Sequence, residues 1–326
     1  MNRWGRSMSC LSPLVEGTSK DSVLGGERSS YRDLPLTGIV VRDRRANYTI
    51  RPWEGCSVTP LDVMIAQGQG RRLGTVALLM AGGSGERMRS SGSVLPKPLV
   101  SILGMSLLER NVHALLRNGF GDIVVAVPAG TVGEMLADVV DRELRPLCAT
   151  AGAEIGVLVE SRPLGNIGGA ALVGELADTV LVVFSDNLTS VDLGTVVLGH
   201  RERRCAMTLV AHHELSRLAF GRLTMSDGDV VTFEEKPEER TLISSGITVL
   251  GPDAIRLIPP NGPTGIVDLF NLVHGAGLGV AGHVHSAPWI DVNDTHSVHR
   301  AEDLVRSDPD AFAPWQPVHH EQGRGE

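Results

Sequence analysis

Between Thr75 and Asp186 the chain alternates two kinds of segment, and this alternation limits the folds open to it. "TVALLMA", "DIVVAVP", "EIGVLVE" and "TVLVVFSD" are apolar runs of strand length. Because they lack an apolar/polar alternation, they read as strands buried on both faces. The segments between them read as helices. "SLLERNVHALLRNGF" has an amphipathic spacing, with Ser106 and Glu109 in capping-box register and Asn118-Gly119 as a stop. Thr131 and Glu134 form a second capping-box pattern ahead of "VGEMLADVVDREL", and "NIGGAALVGEL" reads as a third helix. Strands and helices in strict alternation predict an α/β fold: a Rossmann-like mixed, mainly parallel sheet wrapped by helices.

After Asp186 the texture becomes strand-rich. "CAMTLVAHH", "RLTMSDGDVVTFEEK" and "SSGITVLG" read as strands, with Asp227-Gly228 as a hairpin turn. The helix "IVDLFNLVHGAG", the strand "LGVAGHVHS" and the helix "THSVHRAEDLVRS" follow. The expected organisation is an N-terminal extension over residues 1–74, a main domain over 75–308 and a polar tail over 309–326. The extension is polar and glycine-rich in "EGTSKDSVLGGERSSYRD", which reads as poorly ordered. Within it, "LTGIVVRD" reads as a short strand and the stretch from Pro60 as a short helix.

Only 4% of the 326 residues are aromatic, so the core must be built from aliphatic side chains. The net charge of −8 argues against a nucleic-acid binder, which usually carries a basic surface. A small anionic ligand stays possible, because a few local cations suffice to hold one. Cys10, Cys56, Cys148 and Cys205 form no C-x-x-C pair and read as isolated reduced thiols. No apolar run approaches the roughly 20 residues of a membrane helix. The N-terminus has no sustained apolar region of the kind a signal peptide needs. The expectation is a cytoplasmic protein with no membrane and no nucleic-acid partner.

The first strand runs into "AGGSGERMRSSGSVLPKPLV". Gly82, Gly83 and Gly85 permit unusual dihedrals and a close approach of backbone N–H groups to phosphate oxygens. Arg87 brings a guanidinium fork suited to phosphate, and Lys97 a point charge on a loop stiffened by Pro96 and Pro98. The glycines alone would fit a plain turn equally well. A dinucleotide fingerprint fits poorly, since Met88 stands where its third glycine belongs, and no G-K-[ST] follows for a Walker loop. Asp186 closes an apolar strand, at the sheet edge where α/β ligands bind.

These motifs resemble the sugar-phosphate nucleotidyltransferases. "LLMAGGSGERM" followed by "LPKPLV" resembles the family's glycine-arginine loop and its P-K-P segment. "ESRPLGNIGGA", "LVVFSDNL", "VVTFEEKP", "SSGITVL" and "WIDVNDTHSVHRAED" resemble the family's later motifs, in the same order. The resemblance covers residues 75 to 305. It implies a glycosyltransferase-A-like sheet with a small strand-rich sugar-binding part. It also implies Mg²⁺-dependent transfer of a nucleotidyl group from an NTP to a sugar 1-phosphate, giving an NDP-sugar and pyrophosphate. By the same resemblance, Ala81, Gly82, Gly83, Ser84, Gly85, Glu160 and Gly165 bind the nucleotide, and Arg87 clamps the β- and γ-phosphates. Lys97 meets the α-phosphate, and Asp186 and Asp291 hold Mg²⁺. Glu235 and Gly221, Lys236 and Gly246 receive the sugar phosphate.

The chain departs from the pattern where shape is set. "SSGSV" stands in the arginine loop, Ser185 precedes the first metal aspartate where a glycine is usual, and Asn293 replaces the glycine after the second. Asn166 and the "SSGIT" stretch depart as well. Base and sugar therefore stay open. "SDN" leans to thymidylyl and uridylyl members, while the spacing of "GIVDLFNLVHGAG" leans to guanylyl members. Residues 1–74 also allow a degenerate remnant of a nucleotide-sensing CBS pair. A catalytically silent NDP-sugar-binding regulator and an NAD-dependent oxidoreductase are the competing functions. His212-His213 read as a strand end and His319-His320 as tail. His283 and His285 share a strand face without a third metal ligand. A homo-oligomer is compatible with all of this.

Overall fold

The apolar run at the head of the main domain divides its side chains by parity. Val76 and Leu78 enter one hydrophobic cluster while Ala77 and Leu79 enter another, and all four are fully buried. A strand with apolar residues at every position can be satisfied only by helices on both faces of its sheet.

The computed structural model describes residues 38–42, 48–49, 74–82, 95–259 and 262–317. All of them belong to the unit Leu36–Glu326. The strands are β1 (Gly38–Arg42), β2 (Tyr48–Thr49), β3 (Val76–Met80), β4 (Ser101–Ile102), β5 (Met105–Ser106), β6 (Asp122–Pro128), β7 (Glu154–Glu160) and β8 (Val180–Phe184). They continue with β9 (Asn187–Thr189), β10 (Met207–Arg217), β11 (Arg222–Ser226), β12 (Asp229–Glu234), β13 (Glu238–Leu250), β14 (Val280–His285) and β15 (Trp289–Asp291). The helices are α1 (Leu107–Arg117), α2 (Thr131–Val139), α3 (Arg145–Thr150), α4 (Gly169–Val173), α5 (Leu193–Arg203), α6 (Pro252–Arg256), α7 (Ile266–Gly275) and α8 (Thr295–Ser307).

Nine strands form one sheet in the order β14-β10-β13-β8-β3-β6-β7-β1-β2. The centre is parallel, with β3 between β8 and β6, and β7 beyond β6. β13 enters antiparallel between β8 and β10, and β14 runs parallel to β10. The expected mixed α/β sheet is observed. The strand read in "LTGIVVRD" pairs antiparallel with β7 over Gly38–Val40. The short helix expected from Pro60 lies outside the described residues.

Three local expectations are corrected. Thr131 and Glu134 make no capping box: Gly130 is the N-cap, with φ +91, and Thr131 is already helical. Gly133 shows why the turn is so tight, since a Cβ there would fall 1.7 Å from the Pro128 carbonyl oxygen. The segment "NIGGAALVGEL" is helical only over Gly169–Val173. Glycines on either side weaken the helix, and Gly165 holds φ +81. His212 and His213 do not end a strand, because β10 runs on to Arg217. By contrast, the Ser106 side chain accepts from the Glu109 amide as expected, and Asp227-Gly228 turns the β11–β12 hairpin with φ of +52 and +94.

A third apolar cluster lies apart from the two that flank the sheet. Val100, Ile102, Leu107, Leu188, Ile290, Val292, Ala301, Val305 and Phe312 are packed together. These residues come from the segment after Lys97, from β9 after Asp186, from β15 and the residue that follows it, and from α8 with the segment beyond it. Burying them draws four distant parts of the chain to one place. Phe312 shows that the chain beyond residue 308 contributes, and the Trp315 amide donates to His113 Nδ1 at 3.0 Å.

Candidate active site

On this pedestal the side chains of Lys97, Asp186 and Asp291 converge. Lys97 sits on a 3-10 turn, Lys97–Leu99, that starts after Pro96 and carries the buried Pro98. Its Nζ donates to Asp186 Oδ2 at 2.8 Å and to Asp291 Oδ1 at 3.3 Å. It also donates to Asn293 Oδ1. The lysine side chain is 12% exposed, and the two carboxylates are 33% and 37% exposed on their side of the ion pairs. The ammonium is thus shut in, while the carboxylates keep an opening to solvent.

Asp186 lies just past the C-terminal end of β8, and its backbone is fixed on both sides. Ser185 donates from its amide (3.1 Å) and its hydroxyl (2.8 Å) to the Met80 carbonyl. Both donors fasten the residue before Asp186 to the end of β3. Asn111 Nδ2, buried on α1, donates to the carbonyls of Ser185 at 3.3 Å and Asn187 at 3.1 Å. The short β9–β15 ladder sets Asn187 opposite Asp291, and the Val292 amide donates to the Asp186 carbonyl at 3.0 Å. That ladder is what places the two carboxylates side by side.

Ser245 ties β13 to the same place. Its carbonyl accepts from Asn187 Nδ2 at 3.0 Å and from Trp289 Nε1 at 2.8 Å. Its hydroxyl lies 2.8 Å from both His212 Nδ1 and His285 Nε2. One hydroxyl can donate to only one ring, so the other ring must donate to it. The His212 ring stands 4.4 Å from the Trp289 ring. These histidines are structural partners of Ser245. Among the described residues no cluster of three or more His, Cys, Asp or Glu could hold a metal ion.

The residues expected around the nucleotide divide into two groups. Gly83, Ser84, Gly85 and Arg87 lie outside the described residues. Ala81 is buried at the end of β3, with its amide donating to the Ala126 carbonyl at 2.9 Å. A Cβ on Gly82 would lie 3.6 Å from Glu160 Oε2, so Gly82 and Glu160 are neighbours. Glu160 is 7% exposed. Burial pushes its carboxyl up to about 7, against a smaller opposing pull from the Leu164 amide. Gly165 packs on the loop at Thr264, where a Cβ would fall 2.3 Å from the carbonyl oxygen, so backbone packing alone demands glycine there.

The sugar-side candidates are more scattered. Gly246 is pressed against Asn187, next to the carboxylate pair. Gly221 faces the Phe233 ring at 2.3 Å from a built Cβ, which makes it a packing glycine of the hairpin. Glu235 and Lys236 are exposed at the turn into β13, with Lys236 at φ +45. Asn111, Ser245 and Trp289 support the site without having been singled out from the sequence. Trp289 carried a signal, the tryptophan of "WID". Asn111 looks like any polar residue of an amphipathic helix.

The donor set suits a hard divalent cation. Two carboxylates whose oxygens approach one point leave positions for phosphate oxygens and water, as Mg²⁺ prefers. In the ion pairs observed, the Lys97 ammonium supplies the positive charge at that point. Two carboxylates and a lysine thus meet beyond the C-terminal end of β8, where ligands of α/β sheets bind. The model of the nucleotidyl transferase family matches residues 76–307, and the chain belongs to that family. The chain is 29% identical over 241 residues to a UTP–glucose-1-phosphate uridylyltransferase of Synechocystis, covering 66% of this chain and 59% of that one. It is 28% identical over 194 residues to the mannose-1-phosphate guanylyltransferase catalytic subunit beta of Xenopus tropicalis, covering 56% and 52%. The chain therefore spans little more than half the length of these two relatives. The crystal structure of HddC from Yersinia pseudotuberculosis has the same fold, with a TM-score of 0.54 at 18% identity, covering 70% of this chain and 98% of that one.

Proposed function

We propose that the protein transfers a nucleotidyl group from an NTP to a sugar 1-phosphate, with a divalent cation, releasing pyrophosphate. The convergence of Asp186 and Asp291 on Lys97 carries this reading. The nucleophile is a phosphate oxygen that is already anionic near neutral pH, so the site needs no strong base. The problem is to hold two polyanions together and to stabilise the charge that builds as pyrophosphate departs. Asp186 and Asp291 would hold the cation, and when bound it neutralises phosphate charge. Lys97 brings a second positive charge to the site, where it meets the α-phosphate. Arg87 belongs to the triphosphate end, Ala81 to Gly85 with Glu160 and Gly165 to the nucleotide, and Gly221, Glu235, Lys236 and Gly246 to the sugar phosphate. That Lys97, Asp186 and Asp291 are held together favours an enzyme over a silent binding protein, which has no use for this charge arrangement. The requirement for NTP fits a cytoplasmic reaction.

The relatives differ in the base they use, so the test is a matrix. Pyrophosphate release is measured with five NTPs against several sugar 1-phosphates, with Mg²⁺ and with EDTA. One Mg²⁺-dependent pair far above the rest is expected. Silence from folded protein across the whole matrix counts against the reading.

A further inference from the structure

Asn293 stands where the family pattern has a glycine, and its amide does two things at once. Its Oδ1 accepts from Lys97 Nζ, and its Nδ2 donates to Asp291 Oδ2. Only this orientation of the amide serves both neighbours, since an ammonium can only donate and a carboxylate can only accept. The backbone beneath it is fixed. The Asn293 amide donates to Ser297 Oγ at 2.8 Å, in the capped first turn of α8. A glycine at this position could make neither side-chain contact.

We propose that Asn293 is a positioning residue that latches Lys97 between Asp186 and Asp291, so that the nucleotide-free protein excludes a divalent cation. The inference rests on the cation-dependent reading above. The ammonium lies within 3.3 Å of an oxygen of each carboxylate, which is the point where a shared cation would sit. The ammonium and a divalent ion cannot share that point, for reasons of space and of like charge. Lys97 must therefore swing out before a cation is held. It has no reason to do so until another anion is at hand to receive it. A triphosphate is such an anion. Cation entry and lysine departure then become one event tied to nucleotide arrival, and the Asn293 amide adds to what must be broken.

The test uses the full chain without nucleotide and Mn²⁺ as the probe, followed by equilibrium dialysis and by isothermal titration calorimetry. Lys97→Met removes the competing charge at similar length, and Asn293→Gly removes only the latch. Mn²⁺ should bind Lys97→Met at least about tenfold more tightly than the wild type, since a like charge at contact distance costs more than one decade of affinity. Asn293→Gly should fall between them. Adding Asp186→Asn to Lys97→Met should abolish the gained binding. Equal Mn²⁺ affinity in the wild type and both single variants overturns the proposal, as does binding that survives Asp186→Asn. Asn293→Gly exposes no apolar surface, so it keeps the test open if Lys97→Met fails to fold. A wild type silent in the pyrophosphate matrix that still shows this ranking would defeat the catalytic reading and leave the latch standing.

Discussion

Gly246 and Asn187 touch so closely that a Cβ built on Gly246 would fall 2.1 Å from the Asn187 side-chain nitrogen. Gly246 also holds φ +68, which few residues other than glycine adopt. The contact lets Asn187 reach the Ser245 carbonyl, and Asn187 is the residue next to Asp186. Gly246→Ala therefore meets both backbone strain and a collision. It should lower stability by about 2–4 kcal/mol, read as a lower urea midpoint with an unchanged slope. It should also reduce turnover at temperatures where the variant is folded. An unshifted midpoint would mean that Asn187 can swing away freely.

Asp186→Asn and Asp291→Asn keep side-chain size and hydrogen-bonding reach while deleting one charge each. Each should reduce pyrophosphate release by on the order of 10²-fold or more, since charge stabilisation carries this reaction. Both side chains are partly exposed, so their thermal midpoints should stay close to that of the wild type. Near-normal turnover in Asp186→Asn would remove that residue from the cation site.

Glu160 couples stability to pH. Its carboxyl is raised from 4.5 to about 7, chiefly by burial. Between those values the folded chain holds a proton that the unfolded chain has released, so stability falls as pH climbs through this window. Above pH 7 the full penalty applies, about 3 kcal/mol at 1.36 kcal/mol per unit. Glu160→Gln stays neutral throughout. Its gain over the wild type in urea unfolding should be small near pH 4.5 and reach about 3 kcal/mol at pH 8. A gap of the same size at both pH values would contradict the buried, protonated carboxyl.

The sheet and its helices were legible because β3, β6, β7 and β8 are apolar on both faces, a pattern few other folds allow. Lys97, Asp186 and Asp291 were legible as motif residues, but their convergence was not. It depends on Leu188, Ile290, Val292 and Val305 burying one another, and no local pattern links residues so far apart in sequence. The Thr131 cap failed because Gly130 at φ +91 took the N-cap position. A capping pattern in sequence does not show which residue leaves the strand in the right conformation. Ser185 and Asn293 looked like drift in shape-setting positions, yet each makes hydrogen bonds that a glycine could not.

Asn111 offers a test of how Asp186 is held. Its Nδ2 donates to three carbonyls, those of Leu107 at 2.8 Å, Asn187 at 3.1 Å and Ser185 at 3.3 Å, and the residue is 7% exposed. Asn111→Leu leaves the two carbonyls beside Asp186 without this donor, a loss of about 1–3 kcal/mol for buried acceptors. Asn111→Asp is the harsher change. An ionised carboxylate there faces only acceptors, so the new group must take up a proton to fit, and its folded-state pKa lies above the unfolded one. Its destabilisation should therefore grow as pH rises through and above the normal carboxylate range and shrink in acid, whereas that of Asn111→Leu should not depend on pH. Urea unfolding at pH 5 and pH 8 separates the two. Both variants should lose turnover beyond what their stability explains, because the backbone on each side of Asp186 is no longer pinned. Full turnover in folded Asn111→Leu would show that β9 and β15 hold Asp186 without help from α1.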